Sequence, residues 1–296
     1  MSKEMAIATV LKTGPGSSIQ DLGRRGQANL GIPLSGAMDM KSFAWINHIL
    51  QNEVNDAALE VSQPGFQIQF DSPTYIAIAG AEAIVRLNDQ LIEKSNLIAI
   101  QSKDLLEIGA FLSGSIVYIG IKYGFKTPKI LGSRSQYKGL TEDSILHKGT
   151  KIQYFMDSEA SPVFNAKAKW STEWYREEEI LAYPGPDFHL LKENLREKLI
   201  GQTFRISQQS NRMGAQLLEL LENDLPELPT NPVFPGTVQL TSGGKLIILL
   251  KDAQVTGGYP RILQLDVESQ WKLAQKKPGS KVRFKLFQPR ISTISR

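Results

Sequence analysis

Short runs of aliphatic and β-branched residues, separated by turn formers, set the pattern of this chain. Tyr75–Ala79, Ala83–Leu87, Asn96–Ile100, Ile116–Ile121, Leu246–Leu250, Arg261–Val267 and Lys281–Phe287 are each predicted as strands. Their separators include Asn88-Asp89, Ser242-Gly243-Gly244 and Pro278-Gly279, residues that favour tight turns. In two places the spacing lengthens to that of a helix. Phe43, Ile46 and Leu50 share one helical face, with Asp39 placed as an N-cap, and Met213, Leu217 and Leu220 share another. Mostly antiparallel sheet with one helix per half predicts a mainly β fold of closed or nearly closed barrels, not a doubly wound parallel sheet.

The same signals occur twice in the same order, which points to an internal duplication. Val10-Leu11-Lys12-Thr13-Gly14-Pro15 resembles Ile180-Leu181-Ala182-Tyr183-Pro184-Gly185-Pro186, with Gly14 opposite Gly185 (185 − 14 = 171). Ser35-Gly36-Ala37-Met38 lies opposite Ser210-Asn211-Arg212-Met213 (210 − 35 = 175). Leu59–Gly65 lies opposite Val238–Gly244 (244 − 65 = 179). The slow drift of the offset is what small loop insertions produce. Two domains are therefore expected: residues 1–178, which include a connecting segment, and residues 179–296. Ser158-Glu159-Ala160-Ser161-Pro162 and the polar stretch through Glu177-Glu178-Glu179 read as a solvated connection.

Composition narrows the function classes. The 296 residues are 41% hydrophobic and 22% charged, enough apolar material for more than one core. A net charge of +4 arises from 34 basic and 30 acidic residues mixed along the chain. Lys276-Lys277 lacks the interleaved aromatics of a nucleic-acid groove, so no nucleic-acid partner is expected. The absence of cysteine excludes disulfides, thiolate metal sites and cysteine nucleophiles. The N-terminus lacks a signal-peptide core, and no apolar run approaches the roughly 18 residues that span a bilayer. A cytoplasmic protein without a membrane partner is expected.

Standard catalytic signatures are missing. There is no Walker-type loop, nucleophile elbow or His-Glu-x-x-His, and Gly14-Pro15-Gly16 lacks the third glycine of a dinucleotide turn. His48, His147 and His189 are scattered, so no metal site is expected.

Four clusters remain as candidate chemistry. In Gln20–Gly26, Asp21 and Arg24 sit among glycines, where a guanidinium can hold a carbonyl or carboxylate; an Asp-Arg pair fixing a loop is the equal alternative. Gly31–Asp39 brings Ser35 and Gly36 to a helix start whose backbone donors suit an anion, or simply cap the helix. Ser207–Gly214 gathers Ser210, Asn211 and Arg212, which suits recognition of a small polar molecule. Lys251–Arg261 carries Asp252, Gln254, Thr256 and Tyr259 around Gly257 and Gly258, more chemistry than a hairpin loop needs.

These clusters carry a resemblance. GSSIQDLGRRG (16–26), GIPLSGAMD (31–39), LGSRS (131–135), SNRMG (210–214), FPGTVQL (234–240) and DAQVTGGYPRI (252–262) resemble, in order, motifs of one family. It holds the C-type subunit of 5-oxoprolinase, the Kip antagonists, allophanate hydrolase subunit 2 and the carboxyltransferase domain of urea carboxylase, and the likeness runs from about Ile7 to Phe284. Relatives usually have Thr at the place of Val255. They also have a Gly-Gly-Phe-x-Gly-Arg stretch where this chain has Thr141–Leu146, so one arginine is missing.

The resemblance implies two cyclophilin-like β-barrel domains meeting at a cleft that takes a small amide substrate. It implies work in a bacterial complex with a Kip-inhibitor-type subunit (the B-type subunit of 5-oxoprolinase) and a lactam-utilisation-type subunit (the A-type subunit of 5-oxoprolinase). That complex is an ATP-dependent hydrolase opening 5-oxo-L-proline to L-glutamate. The ATP is used by the complex, and no cofactor is expected on this chain. Two alternatives stand beside it: a carboxyltransferase acting on a urea-like amide with biotin carried by another protein, and a non-catalytic regulator that binds a Kip-type kinase inhibitor. In the enzymatic readings Arg24, Arg212 and the backbone of Gly257 and Gly258 would hold a developing oxyanion. Asp252 or Tyr259 would transfer the proton. Asp252, Tyr259 and Arg212 are thus the catalytic candidates. Asp21, Arg24, Ser35, Gly36, Ser210, Asn211, Gln254, Thr256, Gly257 and Gly258 are the substrate-binding ones.

Overall fold

A computed structural model describes residues 3–92, 97–157 and 170–287. The chain is mainly β with three α-helices among the described residues, and it divides into two compact units. The first comprises Met1–Arg176 with Ala274–Lys277, and the second Glu177–Leu273 with Pro278–Arg296. The expected connection at 158–162 lies outside the described residues. Its polar continuation runs through a 3-10 turn, Glu173–Arg176, into the first strand of unit 2.

Unit 1 contains β1 (Met5–Lys12), β2 (Ser18–Gln20), α1 (Met40–Ile49), β3 (Ala58–Val61), β4 (Phe66–Phe70), β5 (Thr74–Leu87), β6 (Gln90–Leu91), β7 (Ile98–Ile100), β8 (Leu105–Ile121) and β9 (Lys151–Phe155). One curled sheet runs β2-β3-β8-β4-β1-β9, with β5 paired to β6, β7 and β8. Curvature comes from β8, whose beginning pairs with β4 and whose end pairs with β3. The partner strand β5 shifts register between Gly80 and Val85. Gly80 (φ 93°) sits at that irregularity because a side chain there would run into the Ile116 carbonyl. Tyr75–Ala79 and Ala83–Leu87, expected as two strands, are therefore one bent strand. Phe66, Ile68, Phe70, Ile76, Ile78, Leu106, Ile108 and Ile119 fill the core. The helix α1 buries Phe43 and Ile46, as expected, and Asp39 caps it by accepting from the N–H groups of Lys41 and Ser42. Such a cap contributes on the order of 1 kcal/mol.

Unit 2 contains β10 (Glu179–Pro184), α2 (Glu193–Gly201), β11 (Phe204–Arg205), β12 (Gly214–Gln216), β13 (Asn231–Pro232), β14 (Thr237–Leu240), β15 (Leu246–Leu249), β16 (Thr256–Gly257), β17 (Arg261–Leu265), α3 (Val267–Ala274) and β18 (Lys281–Leu286). Its second curled sheet runs β11-β18-β10-β17-β14-β15-β12, and β13 pairs with β16 as a separate ribbon.

The helix expected over Met213–Leu220 is absent, and the chain forms β12 there instead. The reason is local. The Asn211 side chain accepts from the N–H groups of Met213 (2.8 Å) and Gly214 (3.4 Å), capturing donors that a first helical turn would use. Beyond it, burial alternates: Ala215 and Leu217 face inward, while Met213 and Leu218 are exposed. Of the three repeat correspondences, the first lies in β1 and β10 and the third spans the turns after β3 and β14. The middle one leads into a helix in unit 1 and a strand in unit 2.

Candidate functional site

In unit 1 the glycine-rich segment after β2 and the segment before α1 are laced together by their backbones. Arg24 donates to the Leu34 carbonyl (2.6 Å), and Ala37 to the Asp21 carbonyl (2.9 Å). Gly36 (φ 87°) donates to Gln20 Oε1 (3.1 Å), and a Cβ on it would sit 2.8 Å from the Gly23 nitrogen. Asp21, Arg24, Ser35 and Gly36 are thus brought together, but all four are buried.

Their polar groups turn inward. The Asp21 carboxylate accepts from Gly23 N (2.8 Å), Ser133 Oγ (2.6 Å), Ser135 Oγ (2.7 Å) and Arg134 N (2.7 Å), so it organises the LGSRS loop. Arg24 braces the same loop by donating to the carbonyls of Ile130 (3.2 Å) and Ser135. Asp21 and Arg24 thus grip the same loop, one through its hydroxyls and N–H groups and the other through its carbonyls. Ser35 is fully buried at φ 55°, and its hydroxyl makes no hydrogen bond among the described residues.

The start of α1 is closed to anions. Met38 N donates to Glu60 Oε2 (2.9 Å), Asp39 N to the Tyr118 hydroxyl (2.9 Å), and Lys41 N and Ser42 N to Asp39 Oδ1 (both 3.1 Å). Tyr118 donates in turn to Glu60 (2.5 Å), and Gln275 Nε2 to Asp39 Oδ2 (2.8 Å). Burial holds the Asp39 carboxyl above its usual range, against the lowering effect of Ser42 and Gln275. The donors that the sequence offers to an oxyanion are consumed by Glu60 of β3, Tyr118 of β8 and the capping carboxylate of Asp39.

In unit 2 two of the candidates, Arg212 and Asp252, form an ion pair. Arg212 Nε meets Asp252 Oδ2 at 2.7 Å and Nη2 meets Oδ1 at 3.1 Å, while Asp252 N donates to the Arg212 carbonyl (2.9 Å). This two-pronged geometry fixes the plane of the guanidinium. Only 20% of the Arg212 side chain and 12% of the Asp252 side chain is exposed, so water screens the pair weakly. Ser210 and Asn211 shape the approach: Ser210 Oγ accepts from Gln216 N (3.2 Å), and Asn211 makes the turn described above.

The remaining candidates lie along the loop after Asp252. Gln254 and Thr256 are exposed, and Tyr259 is 38% exposed. β16 pairs with β13, Val233 N donates to the Val255 carbonyl (3.0 Å), and Leu228 N to the Gly258 carbonyl (2.9 Å). A Cβ on Gly257 would lie 2.7 Å from Gln239 Nε2, so a side chain there would push that amide aside. A second pair, missed in the sequence, anchors the far end of the loop: Arg261 Nε and N both donate to Asp187 Oδ2 at 2.9 Å. Burial raises the Asp187 carboxyl, but the Arg261 hydrogen bonds and charge outweigh it and hold the group below its usual range. Among the described residues no cluster of His, Asp or Glu is arranged to hold a metal ion. No described helix is long and apolar enough to cross a membrane.

Two curled, mainly β units, each with a glycine-rich loop locked by buried polar groups, define the structural class. The chain belongs to the family described as carboxyltransferase domain, subdomain A and B, whose model matches residues 30–286. It is 28% identical to the C-type subunit of 5-oxoprolinase from Escherichia coli (strain K12), over 93% of this chain and 89% of that protein. It is also 28% identical to urea amidolyase of Saccharomyces cerevisiae, over 92% of this chain but 16% of that protein. Among solved structures, K. lactis urea amidolyase is similar with a TM-score of 0.82 at 25% identity, covering 97% of this chain and 19% of that one. The chain therefore spans only a small part of the urea amidolyases it matches.

Proposed function

We propose that this chain is a component of an ATP-dependent 5-oxoprolinase complex that opens 5-oxo-L-proline to L-glutamate together with A-type and B-type subunits. The observation that carries this reading is the likeness to the C-type subunit of 5-oxoprolinase from E. coli, 28% identical over 93% of this chain. Attack on a lactam carbonyl places negative charge on its oxygen, and fixed donors that need no reorganisation stabilise it best. Arg212 is held in one plane by Asp252 and lies in the same compact unit as the Gly257-Gly258 turn. Asp252 therefore acts by orienting Arg212, and Tyr259, a partly exposed residue of the same loop, is the proton-transfer group. Asp21, Arg24, Ser35 and Gly36 support the loop of unit 1 rather than touch substrate.

The test is reconstitution: purified A-type and B-type subunits, with and without this chain, assayed for glutamate and phosphate released from 5-oxo-L-proline and ATP. Turnover that needs the chain supports the reading, and equal turnover without it refutes it. A second reading rests on the family's carboxyltransferase description and the urea amidolyase fold: carboxyl transfer to a urea-like amide from biotin on another protein. Labelled carboxyl appearing on urea would favour it. Binding of the B-type subunit with no effect on turnover would favour a regulator.

A further inference from the structure

Four glutamines are buried in the described structure, and three have their amides engaged in the ordinary way. Gln20 donates to Ser18 Oγ (2.9 Å) and accepts from Gly36 N. Gln136 accepts from Ile19 N (2.8 Å), and Gln275 accepts from Ser115 N (2.9 Å) while donating to Asp39 and the Ile116 carbonyl. Gln239 is the exception. It is 1% exposed in the middle of β14, yet its Nε2 has no hydrogen-bond partner among the described residues. Its neighbour on the same face of the strand, Thr237, donates to Gln264 Oε1 (2.9 Å), and Gln264 Nε2 donates to the Pro235 carbonyl (2.9 Å). A buried amide left without partners costs stability, so its presence needs an explanation.

Position supplies one. The Gln239 amide lies directly against Gly257 of the substrate loop, with Nε2 2.7 Å and Cδ 3.6 Å from where a Cβ would stand. What covers it there is the ribbon of β13 and β16, only two residues on each side. Backbone bonds from Val233 to Val255 and from Leu228 to Gly258 extend it, so exposing the amide takes a local opening of this short ribbon rather than of the main sheet.

We propose that Gln239 is a specificity residue, its carboxamide taking the cis edge of a planar amide when Thr256–Gly257 moves off it. The inference rests on reading residues 252–260 as the substrate loop. A primary carboxamide presents one C=O and one N–H on the same edge. That edge is complementary to a lactam or a urea, which also offer C=O and N–H side by side. It is not complementary to a trans amide, whose C=O and N–H point in opposite directions. Nor does it match the carboxylate formed when a lactam opens, which has no N–H, so the same contact favours substrate over product.

The experiment is calorimetric titration of the full chain, alone and assembled with its partner subunits, using 5-oxo-L-proline, urea and the trans amide N-methylacetamide. The expected result is binding of a cis amide but not of N-methylacetamide. The source of the cis edge, lactam or urea, follows from which of the two binds. Gln239→Leu and Gln239→Met, close in volume, should weaken that binding about tenfold or more. Both should leave the thermal midpoint unchanged or raised, because an unpartnered buried amide has been removed. Wild-type affinity in either folded variant overturns the proposal. So does a failure of wild type to bind either cis amide in both forms, or a fall in the midpoint of both variants, which would mark Gln239 as structural. If cis-amide binding depends on Gln239 but the complex releases no glutamate, the 5-oxoprolinase reading falls and this one stands.

Discussion

Replacing Asp21 by alanine should collapse the LGSRS loop of unit 1. Four donors converge on the Asp21 carboxylate, and the side chain is fully buried. The hydroxyls of Ser133 and Ser135 can rotate to other acceptors, but the backbone N–H groups of Gly23 and Arg134 cannot. Each hydrogen bond to a charged group is worth about 1.5–3 kcal/mol, so two stranded backbone donors cost about 3–6 kcal/mol. For a unit of this size that corresponds to a fall of about 6–24 °C in unfolding midpoint. Tryptophan fluorescence during heating reports it, since Trp45, Trp170 and Trp174 lie in unit 1. Asp21→Asn should cost about half as much, because its amide nitrogen would face the Arg134 N–H. A loss under about 1 kcal/mol in Asp21→Ala would refute the organising role. Lost turnover in Asp21→Asn at an unchanged midpoint would make Asp21 a substrate contact instead.

Other outcomes follow from the same geometry. Gly23 holds φ 87°, and a side chain there would run into the Leu34 carbonyl, so Gly23→Ala should lose about 2 kcal/mol or more in denaturant unfolding. Asp187 has a folded pKa below the free value of 3.8, so its pairing with Arg261 stabilises the fold above that value. That contribution disappears as pH falls through the lower folded value. Asp187→Asn should therefore be less stable than wild type at neutral pH, with the gap narrowing below about pH 4; a gap independent of pH would contradict the linkage.

Much of the fold was readable from the chain because strands and turns are local. Asn88-Asp89, Gly243-Gly244 and Pro278-Gly279 bound strands where expected, and Asp39 caps α1. The spacing Met213, Leu217 misled because four residues apart is one helical turn and also two full strand periods. Asn211 and Gly214 decided between them. The site was legible as residue types but not as partnerships. Asp21 is bonded across 112 residues to Ser133, and Arg261 across 74 to Asp187, separations over which a sequence shows no pairing. The donors of Met38 and Asp39 looked available because their acceptors, Glu60 and Tyr118, come from strands distant in the sequence. Gln239 looked like an ordinary strand residue, since only three-dimensional packing reveals an amide without partners.

If Arg212, set by Asp252, stabilises charge during amide opening as proposed, its loss must show in turnover. The most direct test is the rate of glutamate release from 5-oxo-L-proline by the assembled complex carrying Arg212→Ala. The expected result is that turnover is abolished while the complex still assembles at its normal size. Normal turnover in that variant would contradict it.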